Sequence, residues 1–288
     1  MSSFPSRFLR GQKSSLPPLW VFLVALLARV TFVLTLDNKL YWPDEIAFNQ
    51  IALNLLNGEG YQSSAFRANP VLAWFLALIY KLFGYGYLVP RIVQSVIGTI
   101  TACIVYSLSI HLFHRRVAIL ASLGVALYPP FIYSAGVFYV SALETFLITL
   151  SMYLLYLGSQ EERGSFLFLT LSGLTMGIAA LCRPVSFALI PFAALFIVLA
   201  YRGGAVRRCV CVTILLGVSA LSLVPWTVRN YAIYDRLLLV STGGGEFLWK
   251  GNNELARGDS FDRYLEPGHG EVWLDRHRAL APGERNAL

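Results

Sequence analysis

Seven apolar stretches, each about 17 to 21 residues long, run through this chain with almost no charge inside them. They fall at about residues 19–36, 92–112, 117–133, 137–157, 165–181, 185–201 and 209–225. A helix of about 20 residues crosses the roughly 30 Å hydrocarbon layer of a bilayer. Within lipid the backbone must satisfy its own hydrogen bonds, which a helix does. The chain is therefore expected to be an all-α polytopic membrane protein.

Composition agrees. Only 14% of the 288 residues are charged and 56% are hydrophobic, whereas a soluble domain carries about 25% charge. The net charge of +7 does not read as a nucleic-acid footprint, because Lys and Arg sit beside the apolar stretches. Arg7, Arg10 and Lys13, then Arg115 and Arg116, Arg163, and Arg202, Arg207 and Arg208 occupy alternate connections. Positive residues stay in the cytoplasm. That places the amino terminus inside, the connection 37–90 outside, and the tail after Pro225 outside. The first stretch could also be a signal peptide. Its length, Arg29 within it and the lack of a small-x-small cleavage site favour a retained helix.

Residues 1–18 read as a basic cytoplasmic tail, 19–226 as the membrane domain and 227–288 as a polar outer tail. The outer connection has structure of its own. Ala47, Ile51 and Leu55 recur at helical spacing from Asp44 to Asn57, ahead of the breaker Gly58-Glu59-Gly60. Residues 70–83 are apolar but too short to span. Both suit interfacial helices. Cys103, Cys182, Cys209 and Cys211 lie in or beside apolar stretches with no ligand spacing to a His, which supports neither zinc nor a disulfide framework. The glycines from Gly243 to Gly245 lack a following Gly-Lys-Ser/Thr, so they are not a phosphate loop.

Asp44 and Glu45 are the most telling charges, an acidic pair just past the first span. On a helix they point about 100° apart. They are therefore not a matched acid and base acting on one atom. Spacing alone equally allows an acidic first turn after Pro43, stabilised by the helix dipole. Arg67, Lys81 and Arg91 belong to the same connection. Each can hold a phosphate as a charge-assisted pair or simply reach the lipid headgroups. Glu144, inside the fourth span, is either a substrate or metal contact or a structural partner for Arg29 or Arg91. Arg183, at an outer turn, is either an anion ligand or a turn anchor.

Several runs taken in order resemble the membrane-embedded glycosyltransferases of the GT-C fold, in particular the bacterial family 39 type. That type is related to protein O-mannosyltransferases and lipid A aminoarabinose transferases. The runs are Pro43-Asp44-Glu45, Leu55 to Tyr61, Leu76 to Gly84, Arg91 with Gln94, Tyr128-Pro129, Leu143-Glu144, Arg183-Pro184, Pro225 to Tyr231 and Gly251-Asn252-Asn253. The resemblance implies a GT-C-like bundle of about seven transmembrane helices in the inner membrane, with its active site on the outer face. It also implies a polyprenyl-phosphate-linked sugar donor and a lipid, glycan or protein acceptor, without nucleic acid. Asp44 is implied as the catalytic base, Glu45 as a supporting or divalent-metal-binding group, and Arg91 as the ligand of the lipid phosphate. The run Phe66 to Pro70 lacks the family's paired prolines. Family members also continue with further spans, so a truncated, inactive remnant is one alternative. A transporter of lipid-linked sugars is another, which would need a polar pathway through Arg29 and Glu144.

Overall fold

The structure, a computed structural model, describes residues 16–61, 69–160, 165–201, 204–241, 248 and 252. The chain divides into two compact units, Met1–Ser63 with Asn69–Val224 and Ser64–Ala68 with Pro225–Leu288. Every regular element among the described residues is helical. They are α1 (Leu19–Leu34), α2 (Pro43–Leu56), α3 (Pro70–Phe83), α4 (Leu88–Leu112), α5 (Arg115–Leu127), α6 (Pro129–Gly136), α7 (Ser141–Gln160) and α8 (Ser165–Cys182). A 3-10 turn (Pro184–Ala188), α9 (Leu189–Ala200) and α10 (Ala205–Tyr234) follow. Four of these, α4, α7, α8 and α10, are long and apolar enough to cross a membrane, and the bent pair α5–α6 makes five. The helix α1 and the run Pro184–Ala200 are apolar but shorter. The expected count of seven is thus met by four or five helices of span length, with α1 and Pro184–Ala200 falling short of it.

The interfacial elements begin and end where backbone chemistry requires. Proline, whose missing N–H costs nothing in a first turn, opens both α2 and α3. Gly58 and Gly84 follow their ends at φ 78° and 83°, a left-handed region open to glycine.

The expected span 117–133 is broken. Pro129 and Pro130 have no N–H to offer the carbonyls of Val125 and Ala126 four residues earlier. The chain bends by 46° between α5 and α6. The fully buried Arg29 of α1 donates to these two carbonyls, Nη2 to Val125 at 3.0 Å and Nη1 to Ala126 at 2.9 Å. The negative end of the α5 dipole faces the same guanidinium. Gly98 of α4 makes room for it, since a Cβ there would lie 2.6 Å from Arg29 Nε. At the other end of α6, Gln94 of α4 donates to the carbonyls of Ser134, Ala135 and Val137. Side chains from α1 and α4 thus cap the C-terminal ends of the two half-spans.

Elsewhere small residues bring helices close. Gly173 and Gly177 form a Gly-x-x-x-Gly pair on α8, and α10 lies against it. Ser219 Oγ donates to the Gly173 carbonyl at 3.0 Å, and a Cβ on Gly177 would collide with Ser222 Oγ. A core of Leu155, Leu169, Met176, Ile197, Cys211 and Leu215 fills this side of the bundle. A second core, with Ala52, Leu72, Leu76, Tyr80, Phe138, Val140, Leu143 and Cys182, lies under α2 and α3.

In the smaller unit, α10 runs on past Pro225, where the last apolar span was expected to stop. The chain then folds back: Asn230 Nδ2 donates to the carbonyls of Leu238 and Val240, and Trp226 Nε1 donates to Val240. Arg229 lies over the Trp226 ring at 4.7 Å. Trp226 is buried here.

Candidate functional site

Asp44 and Glu45 sit in the first turn of α2, and helical geometry sends them to different environments. Glu45 lies on the buried stripe with Asn49 and Ala52, each about one turn further on. It is wholly buried. Its Oε2 accepts from the backbone N–H groups of Tyr41 (2.8 Å) and Trp42 (3.0 Å), and Oε1 accepts from Phe138 N–H (2.8 Å). A buried carboxylate requires such donors. Asp44, one residue earlier, is exposed. Tyr139 donates its hydroxyl to Asp44 Oδ2 at 2.9 Å. Consecutive acids on α2 therefore grip consecutive residues of the segment between α6 and α7.

That segment changes the reading of Glu144. The helix α7 starts at Ser141, not near Val137, because 137–140 is drawn out to meet α2. Glu144 therefore lies in the first turn of α7 and not in the interior of the fourth span. Its partner is neither Arg29 nor Arg91. Oε2 pairs with Arg183 Nη1 at 3.1 Å, and Oε1 accepts from Ser186 Oγ at 3.0 Å. The glutamate is buried, while the Arg183 side chain is 45% exposed. Asn69, just before α3, donates to the Cys182 carbonyl next to Arg183 at 2.7 Å.

Arg91, expected at a phosphate, has other partners. It is buried in α4 and donates to the carbonyls of Asp37 (3.0 Å) and Lys39 (2.7 Å). The rings of Tyr41, Tyr87 and Phe138 surround it within 6.0 Å. It ties the 37–42 connection to the bundle and so holds α2 in place. Lys39 and Asp37 form an exposed pair at 2.8 Å, each favouring the other's charge. Such a pair adds little stability. Lys81 is exposed in the last turn of α3. Arg67, the glycines 243–245 and the family-like Gly251 and Asn253 lie outside the described residues.

A tyrosine ladder, unforeseen from sequence, completes this end of the bundle. Tyr80 donates to Asn49 Oδ1 at 2.7 Å, and Tyr85 and Tyr87 share a hydrogen bond at 2.8 Å. The alternation Gly84-Tyr85-Gly86-Tyr87 was the available signal. Beside Asp44, Trp42 Nε1 donates to Tyr133 Oη at 2.6 Å. A small cleft with room for about one water, some 10 Å³, lies elsewhere, bordered by Arg29, Gln94, Gly98 and Thr145 between the helices. None of the acids named above lines it.

A divalent metal at Glu45 does not fit these residues, since three backbone N–H donors already point at its oxygens. Among the described residues no three His, Cys, Asp or Glu side chains gather as a ligand set.

Residues 67–228, more than half of the chain, match the family model described as dolichyl-phosphate-mannose-protein mannosyltransferase. The matched stretch contains Arg91, Tyr139, Glu144 and Arg183 and begins after the acidic pair. No curated protein matches in direct sequence comparison. The fold is similar to that of ArnT from Cupriavidus metallidurans bound to undecaprenyl phosphate. The TM-score is 0.61 at 20% identity, over 76% of this chain and 42% of that one. The apo form of the same protein matches at TM-score 0.57 and 20% identity, over 75% of this chain and 44% of that one. The chain thus spans less than half the length of ArnT. The architecture is that of the GT-C-like membrane fold, and the chain belongs to the dolichyl-phosphate-mannose-protein mannosyltransferase family.

Proposed function

We propose that the chain transfers a sugar from a polyprenyl-phosphate carrier to an acceptor hydroxyl at the outer face of the inner membrane, with Asp44 as the base. The observation that carries this reading is the unequal fate of the two adjacent acids. Glu45 is buried and saturated with donors, whereas Asp44 is exposed and, among the described residues, has a hydrogen bond to Oδ2 alone. A free carboxylate oxygen at the end of the bundle is what an incoming hydroxyl needs within hydrogen-bond reach. Family membership and the likeness to a protein seen with undecaprenyl phosphate support the donor class.

The reaction is a single displacement. Asp44 takes the acceptor's hydroxyl proton as the acceptor oxygen forms its bond to the anomeric carbon. The bond from that carbon to the phosphate oxygen breaks, and the polyprenyl phosphate leaves with the electron pair. The anomeric configuration is inverted. Negative charge developing on the phosphate needs a cation close by. Arg183 is the candidate, half exposed and held by Glu144, which in turn is held by Ser186. Arg91, turned to backbone carbonyls, and Glu45 are positioning residues in this scheme. Lys81 and Arg67 remain for the lipid headgroup region.

The test uses purified protein in vesicles and a panel of radiolabelled polyprenyl-phosphate sugars. The wild type moves label from one of them to an added acceptor. Asp44→Asn lowers this by at least about 100-fold, the scale of a lost general base, with unchanged membrane insertion. Full activity in that variant would sink the reading.

A further inference from the structure

We infer that Tyr139 is the positioning residue of the proposed base, fixing the Asp44 carboxylate so that one oxygen is held and the other is presented to the acceptor. This rests on Asp44 being the base. Tyr139 lies 95 residues from Asp44 along the chain and on no helix, yet its hydroxyl donates to Oδ2 at 2.9 Å. An exposed Asp side chain in the first turn of a helix ordinarily rotates freely. Here a second element supplies a fixed donor, and the geometry of that element is itself over-determined. The preceding residue, Phe138, is buried and donates its N–H to Glu45. Gln94 caps the helix just before it through the Val137 carbonyl. The backbone that carries the ring is therefore fixed, and the hydroxyl reaches Oδ2 from a set starting point.

The contact also sets the chemistry of the phenol. Partial burial first, and the Asp44 carboxylate next, push its ionisation up to about 12. It therefore stays a donor across the working pH range and cannot replace Asp44 as the base. Tyr133 and Glu45 also face Tyr139 and act in the same direction as Asp44.

The experiment compares wild type, Tyr139→Phe, Asp44→Asn and the double variant, full-length in vesicles. Tyr139→Phe keeps the ring and its packing and removes only the donor. Transfer is expected to lose about tenfold in kcat, the lower end of the cost of losing a group that orients a functional side chain. The acceptor KM should stay within about twofold, as expected when an interaction acts on the transition state alone. In the Asp44→Asn background, Tyr139→Phe should cost nothing more, which a merely structural role would not produce.

A second readout needs no turnover. With 3-fluorotyrosine placed at position 139, the ¹⁹F resonance should shift on Asp44→Asn, and the phenol should titrate at lower pH. Loss of activity in Asp44→Asn with an unchanged kcat in Tyr139→Phe would overturn the role of Tyr139 and leave the base standing. A fluorine signal indifferent to Asp44→Asn would overturn the contact itself. Full transfer by Asp44→Asn would remove the base and this proposal together.

Discussion

Glu45 and Asp44 differ by one position and by nearly everything that decides what a carboxylate does. Glu45 accepts three backbone N–H groups in a site closed to solvent. Glu45→Gln would turn an NH2 group toward donors and leave at least one buried N–H unmatched. The expected cost is about 2–3 kcal/mol, the scale for lost hydrogen bonds to a buried charge. A fall in the thermal midpoint in detergent checks this, and an unchanged midpoint would contradict it. Asp44→Asn should leave the same midpoint almost untouched, because Asp44 is exposed. The acids' divergence was legible in sequence, since neighbours on a helix face about 100° apart. Their partners were not. Phe138 and Tyr139 are 93 and 95 residues away, and only the three-dimensional course of the chain brings them to α2. The partners of Arg91 were hidden for the same reason: the carbonyls of Asp37 and Lys39 lie 54 and 52 residues away.

At the scale of elements, the break between α5 and α6 is the device that puts Phe138 and Tyr139 where they are. Arg29 supplies from another helix the two hydrogen bonds that Pro129 and Pro130 withhold. Arg29→Met would strand both carbonyls in the bundle, at a cost of about 2–5 kcal/mol. Gly98→Ala should destabilise by about 1–3 kcal/mol, as overpacking does, because its Cβ would reach to 2.6 Å from Arg29 Nε. The two effects are coupled. In the Arg29→Met background, the added methyl of Gly98→Ala should cost much less, and a double-mutant cycle on thermal midpoints measures that difference. Purely additive effects would contradict the packing described here. Periodicity and hydropathy located nearly every helix, and the short 70–83 helix coincides with its expected bounds. They missed the break because hydropathy does not register a missing N–H. The expected span 117–133 held the two prolines in plain view, but their relief by Arg29 is a long-range contact.

For the whole molecule, the ends of α1, α6 and α8 and the starts of α2, α4 and α7 gather around the acidic pair and Arg183. The charge pattern proposes that this end faces outward. With native cysteines replaced, Lys39→Cys should react with an impermeant maleimide on intact cells and Arg116→Cys only after permeabilisation. Both positions are exposed on the protein, so the reverse labelling would invert the proposed topology. The architecture as an all-helical membrane bundle was legible because apolar runs of span length leave a chain few alternatives. The central chemical claim is that Asp44, and not its buried neighbour, accepts the proton as sugar leaves a polyprenyl phosphate. The most direct measurement is acceptor-dependent release of polyprenyl phosphate by the reconstituted protein. Wild type should release it only when acceptor is present, Asp44→Asn should release it at the background rate, and Glu45→Gln should retain release in the fraction that stays folded. Release by Asp44→Asn at the wild-type rate would contradict the account.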